Sequence, residues 1–220
     1  MRQLFAPAAL PLVGLVLAGA LTGALARPAA AQETRAPRRA DSKPRGDYYD
    51  VRSPAMPRAG FAVTSTDVRN GGALTKRQEA NTFGCGGGNV SPQLSWSGAP
   101  AGTRSFAVTV FDPDAPTGSG FWHWVVYNIP ASTTSLASGA GSQGGQLPAG
   151  AQQAATDYGA PGFGGACPPP GDGAHRYVIT VHALKADKVD VPQGATAAVV
   201  GFTLHAQTLA TASLTARYAR

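Results

Sequence analysis

The chain has 220 residues, 43% of them hydrophobic, with 28 glycines, 18 prolines and two cysteines. That is enough apolar material for one good core in one main domain, and so many turn formers favour strands over long helices. The formal charge of +6 lies almost wholly before residue 61: residues 61–220 carry nine Lys or Arg against eight Asp or Glu, a nearly neutral balance that argues against nucleic-acid binding on the fold.

In chain order, residues 1–31 read as a secretory signal peptide. Arg2 precedes an uncharged stretch from Gln3 to Ala26 that is rich in Leu, Val and Ala, and Ala29-Ala30-Ala31 offers a small-residue cleavage site before Gln32. Pro7, Pro11 and several glycines interrupt the run, which disfavours an uncleaved anchor, and no cysteine lies near the cleavage site to carry a lipid. Residues 32–60 combine four prolines, seven Arg or Lys and four acids without an apolar period. Such a stretch cannot repay its ordering entropy and reads as a disordered, basic, Pro-rich linker. The expectation is an exported protein, periplasmic or secreted, with no stable membrane insertion after cleavage.

Residues 61–220 read as one domain of strands divided by turns. FAVTSTD (61–67) is a candidate first strand, followed by an Asn70-Gly71-Gly72 turn; QLSWSG (93–98) is a second, followed by a turn at Pro100-Ala101-Gly102. SFAVTVFD (105–112), HWVVYNIP (123–130) and HRYVITVHAL (175–184) are the clearest strands. The Gly/Ser/Gln/Ala/Pro region 131–174 reads as surface loops. Residues 194–219 change period, with Val199, Phe202, Ala206 and Leu209 three and four apart, and predict a C-terminal helix that Gly201 divides. No internal repeat is visible.

Alternate residues of a strand share a face, so Asp112 continues the face of Phe106, Val108 and Val110. His123 leads the face of Val125, Tyr127 and Ile129. His175 and Tyr177 precede Ile179, Val181 and Ala183. Each polar group stands where an apolar face ends, and strand ends that meet would form a pocket with a few polar groups in an apolar setting. Pro113 and Pro116 make DPDAP a stiff corner that fixes the directions of Asp112 and Asp114. Gly164-Gly165 and Pro168-Pro169-Pro170 shape a loop just before His175.

Taken together, DPDAP, a histidine nine residues after its second Asp, and GGACPPPGDGAHRY before a strand resemble the phosphatidylethanolamine-binding protein family, in its bacterial Raf-kinase-inhibitor-like branch. The resemblance runs from about residue 61 to the C-terminus and includes GNVSPQLSW and LATASLTARY. It implies a mainly β fold, a β-sandwich with a few peripheral helices, and a small pocket for phosphate-like head groups. The positions that match are Asp112, Asp114, Pro116, His123, Pro169, His175 and Tyr177. Phe121 stands where many relatives have Trp, and the loop between Cys167 and His175 is slightly long. Both departures bear on ligand shape more than on ligand class.

The chemistry suits a phosphate monoester or a phosphoethanolamine-type ligand. Imidazole and phenol groups donate to its oxygens, and backbone N–H groups of the Gly/Pro loop add more. Asp112 is then expected to orient a histidine and raise its pKa, or to receive an amine beside the phosphate. Each residue also has a plainer reading, since Asp before Pro is a common turn former and a strand-end histidine a common satisfied polar group. The combined pattern favours function. His182 and His205 read as structural, and Arg176 as the partner of Asp112 or Asp114.

An enzyme is the weaker reading, and neither a cofactor nor a metal is expected. TGSGF (117–121) lacks the strand-to-helix context of a hydrolase nucleophile, GCGGGN (84–89) lacks the Lys and Ser/Thr of a phosphate loop, and a metal-dependent hydrolase built on Asp112, His123 and His175 has the anion pocket as a competing account. A second alternative is an inhibitor or interaction protein for an extracytoplasmic enzyme. Finally, the resemblance places Cys85 and Cys167 around the same pocket, and an oxidising compartment favours their pairing over two separate thiols.

Overall fold

The computed structural model describes residues 59–220; the signal segment expected at 1–31 and all but the last two residues of the expected linker at 32–60 lie outside the described residues. In chain order the elements are β1 (Ala62–Thr64), β2 (Leu94–Ser97), β3 (Ser105–Asp112), β4 (Phe121–Pro130), β5 (Ser135–Leu136), β6 (Gln152–Gln153), β7 (His175–Leu184), α1 (Ala197–Gln207) and β8 (Thr208–Tyr218). They form a three-stranded sheet, β1-β2-β5, and a five-stranded sheet, β6-β4-β3-β7-β8, in which every pairing is antiparallel.

All eight residues of β3 are buried, as its central place requires. Phe106, Val108 and Val110 enter the larger core with Leu94 and Trp96 of β2 and Leu136 of β5. Ala107, on the other face, enters a second core with Val125 and Tyr127 of β4 and Val200 and Leu204 of α1. The large sheet is thus covered by the small sheet on one side and by a helix on the other. The mainly β sandwich follows directly from this two-sided burial.

Several expectations need correction. The stretch from 194 onward is a helix only to Gln207, and Thr208–Tyr218 pairs with β7 along its length. Its second half alternates: Ala210, Ala212, Leu214 and Ala216 are buried in period two, a strand signal in a run of small residues. The helix also buries another stripe, Ala197, Val200, Gly201 and Leu204, while Val199 and Phe202 are exposed. Gly201 lies inside the helix against the Trp122 ring and does not divide it. Thus α1 is the single α-helix among the described residues, and β8 takes the place of the expected C-terminal helix. Lastly, region 131–174 is more than surface loop, since it holds β5 and β6 and buries Leu136, Ala140, Ala154, Phe163 and Ala166. No helix among the described residues is long and apolar enough to cross a membrane.

The revised helix face makes an expected outcome: Leu204→Ala lowers stability by about 2–5 kcal/mol through the cavity it leaves, whereas exposed Phe202→Ser changes it by no more than about 0.5 kcal/mol. Urea unfolding of both variants measures this. A reversed order would reinstate the stripe through Val199 and Phe202.

Candidate functional site

The site lies at the end of the large sheet where β3 stops, β4 starts and β7 starts. Asp112 closes β3 on the face of Val110, and His175 and Tyr177 precede Ile179 on the same face of β7. His123 arrives there by a different route from the one its alternation implies. Val110 pairs with Trp124 and Phe111 with Trp122, so His123 is the extra residue of a β-bulge. Simple alternation would send it toward the helix with Val125 and Tyr127. Instead its ring lies edge-on to Tyr177, with centroids 5.0 Å apart. A second shift near Asn128, whose φ is +58°, moves Ile129 to the larger core as well. The expected face of Val125, Tyr127 and Ile129 is therefore broken at both ends.

Around these ends is a cavity of about 260 Å³. Asp112, Pro116, His123, Pro169, His175 and Tyr177 line it, together with Phe83, Phe121 and Tyr158. Asp114 does not. Its carboxylate turns to Arg176, accepting from Nε at 2.8 Å, from Nη2 at 2.6 Å and from the backbone N at 2.9 Å. The two-pronged pair clamps the DPDAP corner to β7, so Asp114 positions the site from outside it. Asp112 helps from within, its Oδ1 accepting from the Asp114 backbone N at 2.8 Å.

His175 is held between two carboxylates. Its Nδ1 meets Asp112 Oδ2 at 2.7 Å, both side chains being buried, and its Nε2 meets Asp172 Oδ2 at 3.3 Å. Burial opposes the charge of this imidazole, but the hydrogen bonds and charges of Asp112 and Asp172 outweigh it and hold the pKa above the ordinary histidine value. His123 is set up in the opposite sense. Its Nδ1–H donates to the carbonyls of Gly164 at 2.9 Å and Gly165 at 3.1 Å, which leaves Nε2 as the nitrogen available to the cavity. Burial lowers its pKa in spite of those bonds and the Asp112 charge.

Two tyrosines complete the wall. Tyr158 donates to the Gly165 carbonyl at 2.7 Å, and burial together with the Asp112 charge pushes its pKa up to about 12. Gly164 has to be glycine here, because a Cβ would enter the Tyr158 ring. The Tyr177 hydroxyl is buried and has no hydrogen-bond partner among the described residues, and burial raises its pKa strongly. The sequence reading missed Tyr158, Phe83 and Asp172. Tyr158 was findable only as a lone aromatic in a Gly/Ala-rich loop, and Asp172 as the acid of GDGAHRY.

Cys85 and Cys167 form a disulfide with Cα atoms 5.9 Å apart, joining the loop of Phe83 to the loop of Pro168 and Pro169. Phe83, at φ +53° and 71% exposed, stands at the rim and stacks on Tyr158. The two-histidine, one-carboxylate metal site does not assemble: among the described residues no group of three His, Cys, Asp or Glu comes together as metal ligands, and His123 Nδ1 is spent on carbonyls.

The opposed environments have opposite pH consequences. His175, raised, contributes stability that is fully present below its unfolded pKa and lost as pH rises through its folded value. His123, lowered, contributes stability present above its unfolded pKa and lost as pH falls through its folded value. An imidazole NMR titration should accordingly find His175 above and His123 below about 6.5, and the reverse order would discard this assignment. Tyr177→Phe should stabilise the domain by about 1 kcal/mol, because it removes a buried hydroxyl left without a partner; urea unfolding checks it.

Comparison with known proteins agrees with the fold. Residues 64–219 match the phosphatidylethanolamine-binding protein family. The UPF0098 protein YbcL of Escherichia coli is 53% identical over 161 residues, covering 73% of this chain and 88% of YbcL. The crystal structure of YbcL, described as a new member of the mammalian PEBP family, matches with a TM-score of 0.72 over 74% of this chain and 99% of that one. YbhB of the same organism is 51% identical over 156 residues, 71% of this chain and 98% of YbhB. LppC of Mycobacterium tuberculosis, whose name calls it a lipoprotein, is 35% identical over 154 residues, 70% of this chain and 69% of LppC. All the cavity residues named above fall within the matched span. By its fold, its motifs and these relatives, the chain belongs to the phosphatidylethanolamine-binding protein family.

Proposed function

We propose that the protein acts outside the cytoplasm and binds a small phosphate-type anion or phospho-head group in the cavity between His123, His175 and Tyr177, without catalysing a reaction. The observation that carries this reading is the Tyr177 hydroxyl, a buried donor with no partner among the described residues, whose ring packs against His123. A buried polar group without a partner is costly, and an anion oxygen that accepts from it removes that cost. His123 Nε2 becomes a second donor once the imidazole is protonated, and Asp112 keeps His175 positively charged nearby.

Among the described residues that line the cavity, the hydroxyls of Thr117 and Tyr158 and the sulfur of Cys167 are already engaged, which supports binding over turnover. Thr117 Oγ1 donates to the Gly120 carbonyl and Tyr158 to that of Gly165, while the Cys167 sulfur is held in the disulfide. Action outside the cytoplasm is supported by the signal-like residues 1–31, by the disulfide, and by the lipoprotein name of LppC.

Because His123 is neutral in the empty cavity over much of the neutral range, binding an anion draws in a proton. Affinity for phosphorylethanolamine is then expected to fall as pH rises from about 6.5 to 8.5, by at most about tenfold per unit for one linked proton. Calorimetry across that range measures it. Tyr177→Phe and His123→Ala should each lose most of the binding while remaining folded. Wild-type affinity that does not vary with pH, or a Tyr177→Phe variant that binds normally, removes the proposal.

A further inference from the structure

His175 has two ring nitrogens, and carboxylates occupy both. The two bonds are unequal. Asp112 is 2.7 Å from Nδ1, its side chain is almost completely buried, and its other oxygen is committed to the Asp114 N–H. Asp172 is 3.3 Å from Nε2 and its side chain is 47% exposed. For His175 to donate to an incoming anion, one carboxylate has to leave, and Asp172 is the one that can move into water without stranding a buried charge.

Its loop is built for such an exchange. Asp172 sits in a turn, its N–H donating to the Pro169 carbonyl at 3.2 Å, between Gly171 at φ +78° and Gly173. On one side the chain is fixed by the Cys167 disulfide and on the other by His175 itself, the first residue of β7. A carboxylate tethered this closely meets its imidazole at a high effective concentration. We propose that Asp172 is an internal competitor for the anion subsite at His175 Nε2, occupying it until a stronger or more concentrated oxyanion displaces it. The inference rests on the anion-pocket reading above and adds a residue that sets its affinity threshold. Competition of this kind lowers the apparent affinity of every anion by one common factor, so it moves the threshold and leaves the ranking of ligands alone.

Asp172→Asn separates the roles of this side chain. The amide keeps an Oδ1 to accept from the Gly173 N–H, at 3.1 Å in the wild type, so the turn is retained while the competing charge is removed. Inorganic phosphate and acetate are titrated separately into both proteins at low ionic strength, following the His175 imidazole by NMR. Both anions should bind Asp172→Asn more tightly by the same factor, about twofold to fivefold, as expected for a half-exposed charge pair. Without ligand, the His175 pKa should fall in the variant. Wild-type binding with no gain in the variant overturns the competitor alone. A gain for phosphate that clearly exceeds the gain for acetate also overturns it, because that marks simple repulsion of the more highly charged ion. If neither protein binds either anion, the anion-pocket reading falls, and the competitor with it.

Discussion

Strand β3 has no face toward water, and the other elements are disposed so as to keep it that way. Its neighbours β4 and β7 satisfy its backbone, the small sheet covers Phe106, Val108 and Val110, and α1 covers the face of Ala107. A strand so enclosed can carry a charge only where it ends. Asp112 is that end, and since it remains buried it has to be matched by another buried group. The antiparallel register puts the start of β7 beside it, so His175 supplies the match. The cavity is in this sense a by-product of how the core terminates.

Around that pair the chain spends much of its irregular structure on rigidity. Arg176 fastens the DPDAP corner through Asp114, the Gly164 and Gly165 carbonyls fix the His123 tautomer, and the disulfide joins two rim loops. Groups held this way do not have to be ordered when a ligand arrives, which preserves binding free energy that loose side chains would lose. Tyr177 contributes the opposite sign: its unpartnered hydroxyl costs stability in the empty domain. Such a mismatch between local stability and good packing is where a functional site is most readily seen.

Much of this was legible in the sequence. SFAVTVFD and HRYVITVHAL match β3 and β7 to the residue, because runs of apolar and β-branched residues of strand length end at turn residues there, and both strands are buried on both faces. Six of the seven candidate residues line one cavity; Asp112, His123, His175 and Tyr177 are strand-end polar groups that local alternation marks, whereas Pro116 and Pro169 come with the family resemblance. What failed was non-local. The run at 208–218 uses alanine and threonine where larger apolar residues would advertise a strand, and its pairing with β7 decides its conformation. Val199 and Phe202 have helical spacing but are exposed, with no core among the described residues to receive them. Tyr158 comes to the cavity, and Asp172 to His175, from loops whose paths depend on the disulfide and on glycine contacts with no periodic trace.

The bulge at His123 has a consequence for how such a site can be gained or lost. Its imidazole reaches the cavity because β4 carries one residue more than β3 between the Thr109–Val125 and Asp112–Phe121 pairs. Information about the site is therefore stored in a residue count as well as in residue types. Deleting Trp122 alone would keep every motif residue, yet it would set His123 opposite Phe111 in Trp122's former place and turn it toward the helix. For relatives that share the motifs, the spacing from Phe121 to Val125 is the feature that decides whether the histidine is present at the pocket or only in the alignment.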